Sequence, residues 1–100
     1  MSLPVYTRWY HGKIVLLTGA TSGIGRELAK FLVAYGAKVI ICGRDAQAMA
    51  SILGELQSTP SNVLEYFLMD LSDKEAVQEL ILKINNNYSI DILINNAGIG

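Results

Sequence analysis

The feature that most restricts what this chain can fold into is a glycine-rich segment, Thr18-Gly19-Ala20-Thr21-Ser22-Gly23-Ile24-Gly25, set between a continuous apolar run and a helical repeat. The run before it, Ile14-Val15-Leu16-Leu17, does not alternate with polar residues, as expected of a parallel strand buried on both faces. After it, Ile24, Leu28, Phe31, Leu32 and Tyr35 recur at helical spacing, and Gly36 stands where a helix would end. A strand that turns directly into a helix leaves the first backbone N–H groups of that helix facing outward, which suits an anion. Gly19 permits the tight turn, Gly23 lets the backbone approach a phosphate, and Gly25 removes a side chain where the helix packs on the sheet. The segment is expected to receive the pyrophosphate of a dinucleotide; an ordinary glycine-rich connection is the alternative.

The strand-and-helix alternation continues along the chain. Lys38-Val39-Ile40-Ile41-Cys42 reads as a second buried strand, and Asp45 can cap a second helix with Met49, Ile52, Leu53 and Leu56 on its apolar side. Ser58 to Asn62, with Pro60, is the loop that follows. Val63 to Met69 forms a third strand, and the interruption by Glu65 places it at a more exposed edge. Ser72 with Glu75 makes a capping-box pattern, Val77, Leu80, Ile81 and Ile84 give the third helix its buried stripe, and Asn85-Asn86-Asn87 ends it. Ile90 to Ile94 is the fourth strand. Right-handed crossovers then predict the spatial order 3-2-1-4, with the first two helices on one face and the third on the other. The expected class is α/β, a Rossmann-like doubly wound parallel sheet, incomplete, with its topological switch point between strands one and four. Residues 1–12 read as an N-terminal extension and 13–100 as the dinucleotide-binding part of one domain. Strand four would be an open, apolar edge, so the isolated chain is expected to be marginally stable and prone to self-association.

Composition excludes several other classes. Apolar residues make up 51% of the 100 residues, enough for a packed core, and the eight basic and nine acidic side chains leave a net charge of −1 with no basic stripe for nucleic acid. A single cysteine, Cys42, cannot form an intramolecular disulfide, and no Cys/His set suits a metal, so Cys42 reads as a small buried strand residue. Met1 to Gly12 holds no sustained apolar stretch and resembles neither a signal peptide nor a membrane span. His11 and Trp9 precede the fold. A soluble cytoplasmic protein is the expectation.

The order TGATSGIG, then Asp70-Leu71, then Asn95-Asn96-Ala97-Gly98 resembles the short-chain dehydrogenase/reductase family, in the subgroup that works with a Tyr/Lys catalytic pair, over nearly all of Gly12 to Gly100. The resemblance implies that Gly19, Gly23 and Gly25 border the cofactor, with Thr21, Ser22 and Ile24 in the same turn. It further implies that Asp70, with Leu71 beside it, contacts adenine, and that Asn96, Ala97 and Gly98 line the adenosine site. Asp70 could instead be a turn or capping residue; Ser72, if it caps, would leave Asp70 free for adenine. Asn95 and Asn96 could be simple loop formers, and their side chains are expected to tie the loop to neighbouring strands.

The end of the second strand bears on cofactor choice. A carboxylate there would accept from the adenine-ribose hydroxyls and repel a 2′-phosphate, but the residue is Gly43, followed by Arg44, whose guanidinium can bind a phosphate through paired hydrogen bonds. NADP(H) fits better than NAD(H), with Ser22 able to add a hydroxyl near the phosphate; Asp45 as a ribose contact is the competing reading. Replacing Gly43 by Asp together with Arg44 by Ala is expected to turn the preference toward NAD(H). The family's catalytic Ser and Tyr-x3-Lys would fall beyond Gly100, and none of Tyr6, Tyr10, Tyr35, Tyr66 and Tyr88 has Lys four residues on. No residue here is assigned as catalytic or metal-binding. The expectation is the cofactor-binding portion of an oxidoreductase that moves hydride between nicotinamide and a small carbonyl or alcohol, inactive as these residues alone; a homo-oligomer is open to the complete protein but is not read from these residues. A non-catalytic nucleotide-binding or interaction module is the alternative.

Overall fold

The computed structural model describes residues 9–21, 23–57 and 62–96. Along the chain come strand β1 (Ile14–Thr18), helix α1 (Gly23–Ala34), β2 (Lys38–Gly43), α2 (Ala46–Glu55), β3 (Val63–Leu68), α3 (Lys74–Asn87) and β4 (Ile92–Asn95). The strands form one parallel sheet in the order β3-β2-β1-β4, the Rossmann-like arrangement that right-handed crossovers require.

Each face of the sheet has its own core. Val15, Leu17, Val39 and Ile41 point to one side, where Ala29, Leu32 and Val33 of α1 and Met49 and Ile52 of α2 cover them. Ile40 and Cys42 point to the other, under Leu80 and Ile84 of α3. Among the described residues, the first face thus has two helices and the second has one. Burial at Cys42 pushes its thiol from 9.0 up to about 11, because the thiolate would lose its hydration.

The structure corrects four details. The side of α1 against the sheet is Gly25, Ala29, Leu32 and Val33, whereas Ile24 is 69% exposed and Phe31 turns outward. Phe31 packs instead on Tyr35 and, edge-on, on Tyr10, whose ring stands edge-on to Trp9. Packing therefore takes in residues ahead of β1, which Gly12 anchors by donating its N–H to the Gly36 carbonyl at 2.9 Å. On α3, Ile81 is exposed while Leu80 and Ile84 are buried, since a single helix lying over the sheet hides only a narrow stripe. The cap of α3 is Asp73, not Ser72: its Oδ1 accepts from the N–H groups of Glu75 and Ala76 at 3.1 and 3.2 Å. A carboxylate beside the positive end of a helix is a stronger acceptor than a hydroxyl one residue earlier. Finally, β4 begins at Ile92, two residues later than expected, because Asp91 uses its side chain in the ladder. Asp91 Oδ2 accepts from Ile14 N at 2.8 Å while the Asp91 N–H donates to the Ile14 carbonyl.

Two outcomes are expected. Leu93 on β4 is 63% exposed and Leu82 on α3 64%, so these residues as an isolated 100-residue chain should self-associate, and Leu93→Lys should shift size-exclusion profiles toward monomer. The raised Cys42 pKa means that the thiol stays protonated in the fold while an unfolded chain ionises. Its contribution to stability is complete below pH 9 and is lost as pH rises toward about 11, on the order of 2 kcal/mol. Urea titrations of Cys42→Ala should therefore lack that part of the alkaline decline.

Candidate functional site

The turn that follows β1 is built at the carboxyl end of the sheet, where open α/β folds bind ligands. Gly19 leaves the strand at φ 68° and Gly23 starts α1 at φ 57°, both in the left-handed region that a Cβ disfavours. Ala20 donates its N–H to the Cys42 carbonyl at 3.2 Å, which stitches the turn to the end of β2. A Cβ added at Gly23 would meet nothing within 4 Å, so the backbone there lies open to an approaching group.

Gly25 stands in the opposite situation. A Cβ would lie 2.6 Å from Asn96 Nδ2, 2.8 Å from the Gly19 carbonyl carbon and closer still to the Gly19 oxygen. Gly25 therefore sets how closely the helix start approaches the turn itself, a tighter constraint than helix-to-sheet packing. Asn96 completes the contact by donating from Nδ2 to the Gly19 carbonyl at 3.1 Å.

Thr18 is a participant that the sequence reading did not single out. Its hydroxyl donates to Asn95 Oδ1 at 3.0 Å and accepts from the Asn96 N–H at 3.0 Å. Thr18 and Asn95 are register partners on adjacent strands, so one hydroxyl locks the ends of β1 and β4 together. The asparagine side chains thus tie the loop to neighbouring strands, as their sequence position suggested. Only the strand register reveals Thr18, since a threonine at a strand end carries no signal of its own.

At the neighbouring strand ends lie Arg44 and Asp70, both exposed. Asp45 is committed to capping: its Oδ1 accepts from Ala48 N at 3.0 Å at the start of α2. Asp70 is less free than expected. Because Asp73 and not Ser72 caps α3, Ser72 turns its N–H to Asp70 Oδ1 at 2.9 Å and closes a local turn. The Ser72 N–H, its hydroxyl and, last, the charge of Arg44 hold the Asp70 carboxyl below its ordinary pKa. The turn it supports is complete above the usual carboxylate range and weakens only as pH falls through the lowered value. Leu71, in the same turn, is half-buried. Ser22, Ala97 and Gly98 lie outside the described residues. Thr21, half-buried, sets its side chain against Gly43. On the outer side of the turn, Arg26 pairs with Glu55 and donates to Ser51 Oγ at 3.0 Å, fastening α1 to α2.

Among the described residues no group of three or more His, Cys, Asp or Glu side chains could hold a metal ion, and no helix is long and apolar enough to cross a membrane.

A parallel sheet in this order, with a glycine turn joined to an Asn-containing strand end, is the cofactor half of a dehydrogenase fold. Residues 13–100 match the family model for short chain dehydrogenases, and the chain belongs to that family. It is 39% identical over 88 residues to an uncharacterised oxidoreductase of Staphylococcus saprophyticus, covering 87% of this chain and 38% of that protein. It is 41% identical over 92 residues to dehydrogenase/reductase SDR family member 7B of Xenopus laevis, covering 86% of this chain and 28% of that one. Among solved structures, a protein of Escherichia coli CFT073 described as a short chain dehydrogenase and complexed with NADPH superposes with a TM-score of 0.80 at 33% identity, over 91% of this chain and 39% of that chain. The chain thus spans well under half the length of these relatives.

The two glycines at the helix start should respond differently to alanine. Gly25→Ala meets backbone and should cost at or above the top of the roughly 1–3 kcal/mol range of overpacking changes. Gly23→Ala meets only its own dihedral preference, about 1–2 kcal/mol. In guanidinium titrations Gly25→Ala should lose more than Gly23→Ala; a Gly25→Ala variant as stable as the unmodified protein would show that the close approach at residue 25 is unimportant.

Proposed function

We propose that this chain forms the cofactor-binding portion of an NADP(H)-dependent oxidoreductase acting on a carbonyl or alcohol. The observation that carries the reading is the charge at the end of β2, where Gly43 and the exposed Arg44 stand and the adjacent carboxylate, Asp45, is spent on its helix. A cationic side chain whose neighbour in the chain, Asp45, is engaged by a helix suits a 2′-phosphate.

The residues fit such a cofactor. The open backbone at Gly23, at the positive end of α1, would face the pyrophosphate, with Gly19, Thr21, Ser22, Ile24 and Gly25 shaping the turn. Arg44 would take the 2′-phosphate. Asp70, with Leu71 beside it, would accept from the adenine amino group, and Asn96, Ala97 and Gly98 would border the adenosine. When bound, the nicotinamide supplies hydride; this chain's own residues bind and orient its other half. The complex of the Escherichia coli relative with NADPH supports the choice of cofactor class. None of these residues is proposed to bind substrate or to act in catalysis, and the enzyme is proposed to be cytoplasmic.

Arg44→Ala tests the reading in the full-length protein. NADPH binding should weaken by about 1.5–3 kcal/mol, roughly tenfold to a hundredfold, while NADH binding changes little. Equal losses for both nucleotides in calorimetry would defeat it.

A further inference from the structure

We infer that Thr21 is a specificity-determining residue, because its side chain fills the space that any side chain at position 43 would need and so excludes an acidic residue from the end of β2. The inference rests on the proposed NADP(H) reading and adds a steric element to the electrostatic one. Gly43 is buried, and β3 holds its backbone: it pairs with Leu68, and its carbonyl accepts from Met69 N at 3.0 Å. A Cβ built on it would lie 2.5 Å from Thr21 Cγ2, 3.2 Å from Oγ1 and 3.4 Å from Cβ. The backbone at Gly43 has no positive dihedral to explain a glycine, so the neighbour explains it.

Thr21 is itself held. It follows Ala20, whose N–H is bonded to the Cys42 carbonyl, so the turn cannot easily swing away from β2. A β-branched side chain has few χ1 alternatives, which limits how far Thr21 can turn its methyl away. Cutting Thr21 back to alanine would remove the two closest contacts and leave its Cβ at 3.4 Å, ordinary van der Waals distance. The exchange of Gly43→Asp with Arg44→Ala, which the sequence alone recommends for NAD(H) preference, therefore meets an obstacle two loops away. An acid can be seated at residue 43 only after residue 21 is shortened.

The test has two arms in the full-length protein. In the first, the melting temperatures of Gly43→Ala, Thr21→Ala and the double variant form a cycle. Gly43→Ala should lower the midpoint by several degrees in the native background and far less beside Thr21→Ala. Additive effects would show that Thr21 rotates aside at no cost, and would overturn the inference. In the second, Gly43→Asp alone should weaken both NADPH and NADH without a gain for either. Gly43→Asp with Thr21→Ala should move the NADH-to-NADPH affinity ratio about tenfold or more toward NADH, measured against Thr21→Ala. A single Gly43→Asp variant that shifts the ratio as far as the double would also overturn it. The NADP(H) reading fails separately, if the unmodified protein does not prefer NADPH, and the melting cycle still decides whether Thr21 excludes a side chain.

Discussion

The contact between the start of α1 and the turn that precedes it governs much of this structure. Gly25, the Gly19 carbonyl and the Asn96 side chain occupy a space with no room for one more carbon. That closeness fixes how the helix leaves the strand. It explains why the face of α1 against the sheet is lined by small residues at its amino end, Gly25 and Ala29, and by Leu32 and Val33 only further along. A helix pressed down at one end cannot hide Ile24 there, and Phe31 is turned toward Tyr10 and Tyr35. Aromatic pairs of this kind add about 0.5–1.5 kcal/mol each beyond their buried area, so the outward ring still contributes to holding the segment ahead of β1.

The same contact couples parts of the chain far apart in sequence. Asn96 reaches the turn only because Thr18 and Asn95 align the ends of β1 and β4, and Asp91 aligns the opposite ends of those strands through Ile14. Hydrogen bonds thus join β1 and β4 to each other at both termini, beyond the ladder between them. This matters because, among the described residues, β4 has no strand on its far side and pairs with β1 alone. The Arg26–Glu55 pair contributes less. Glu55 is exposed and its pKa is lowered chiefly by the hydrogen bond to Arg26, and solvent screening leaves surface pairs of this type little net effect on stability.

How much of this was legible in the sequence follows from the range of each signal. Strand order and helix placement were readable because continuous apolar runs and helical periodicity are local, and the handedness of crossovers is general. The cap of α2 at Asp45 was readable for the same reason. The cap of α3 was not: Ser72 and Asp73 are both competent by residue type, and only the folded turn gives the helix N–H groups to Asp73 while Ser72 bonds Asp70. The buried face of α1 was misjudged because glycine and alanine carry little hydrophobic weight, and only the tertiary approach at Gly25 makes them core. Thr18 and the Thr21–Gly43 contact were invisible, since they depend on which strand ends become neighbours.

The site also shows why neighbouring charged residues of similar appearance take different roles. Arg44, Asp45 and Asp70 all lie near the ends of the strands, and composition alone would assign any of them to a ligand. Helix α2 claims Asp45, because a carboxylate at its start satisfies an N–H group that would otherwise lack a partner within the helix. The turn before α3 claims part of Asp70 through the Ser72 N–H. Arg44 stands at no helix C-terminus where a cation would satisfy carbonyls, and its charge acts on Asp70 only as the smallest of the influences that lower that carboxyl. Local backbone demands therefore consume acidic groups first, because helix starts need acceptors, and leave the cation to face whatever approaches the carboxyl end of the sheet. On the proposed reading, that imbalance, combined with a position 43 too crowded for an acid, makes the end of β2 receptive to a phosphate by attraction and by exclusion together.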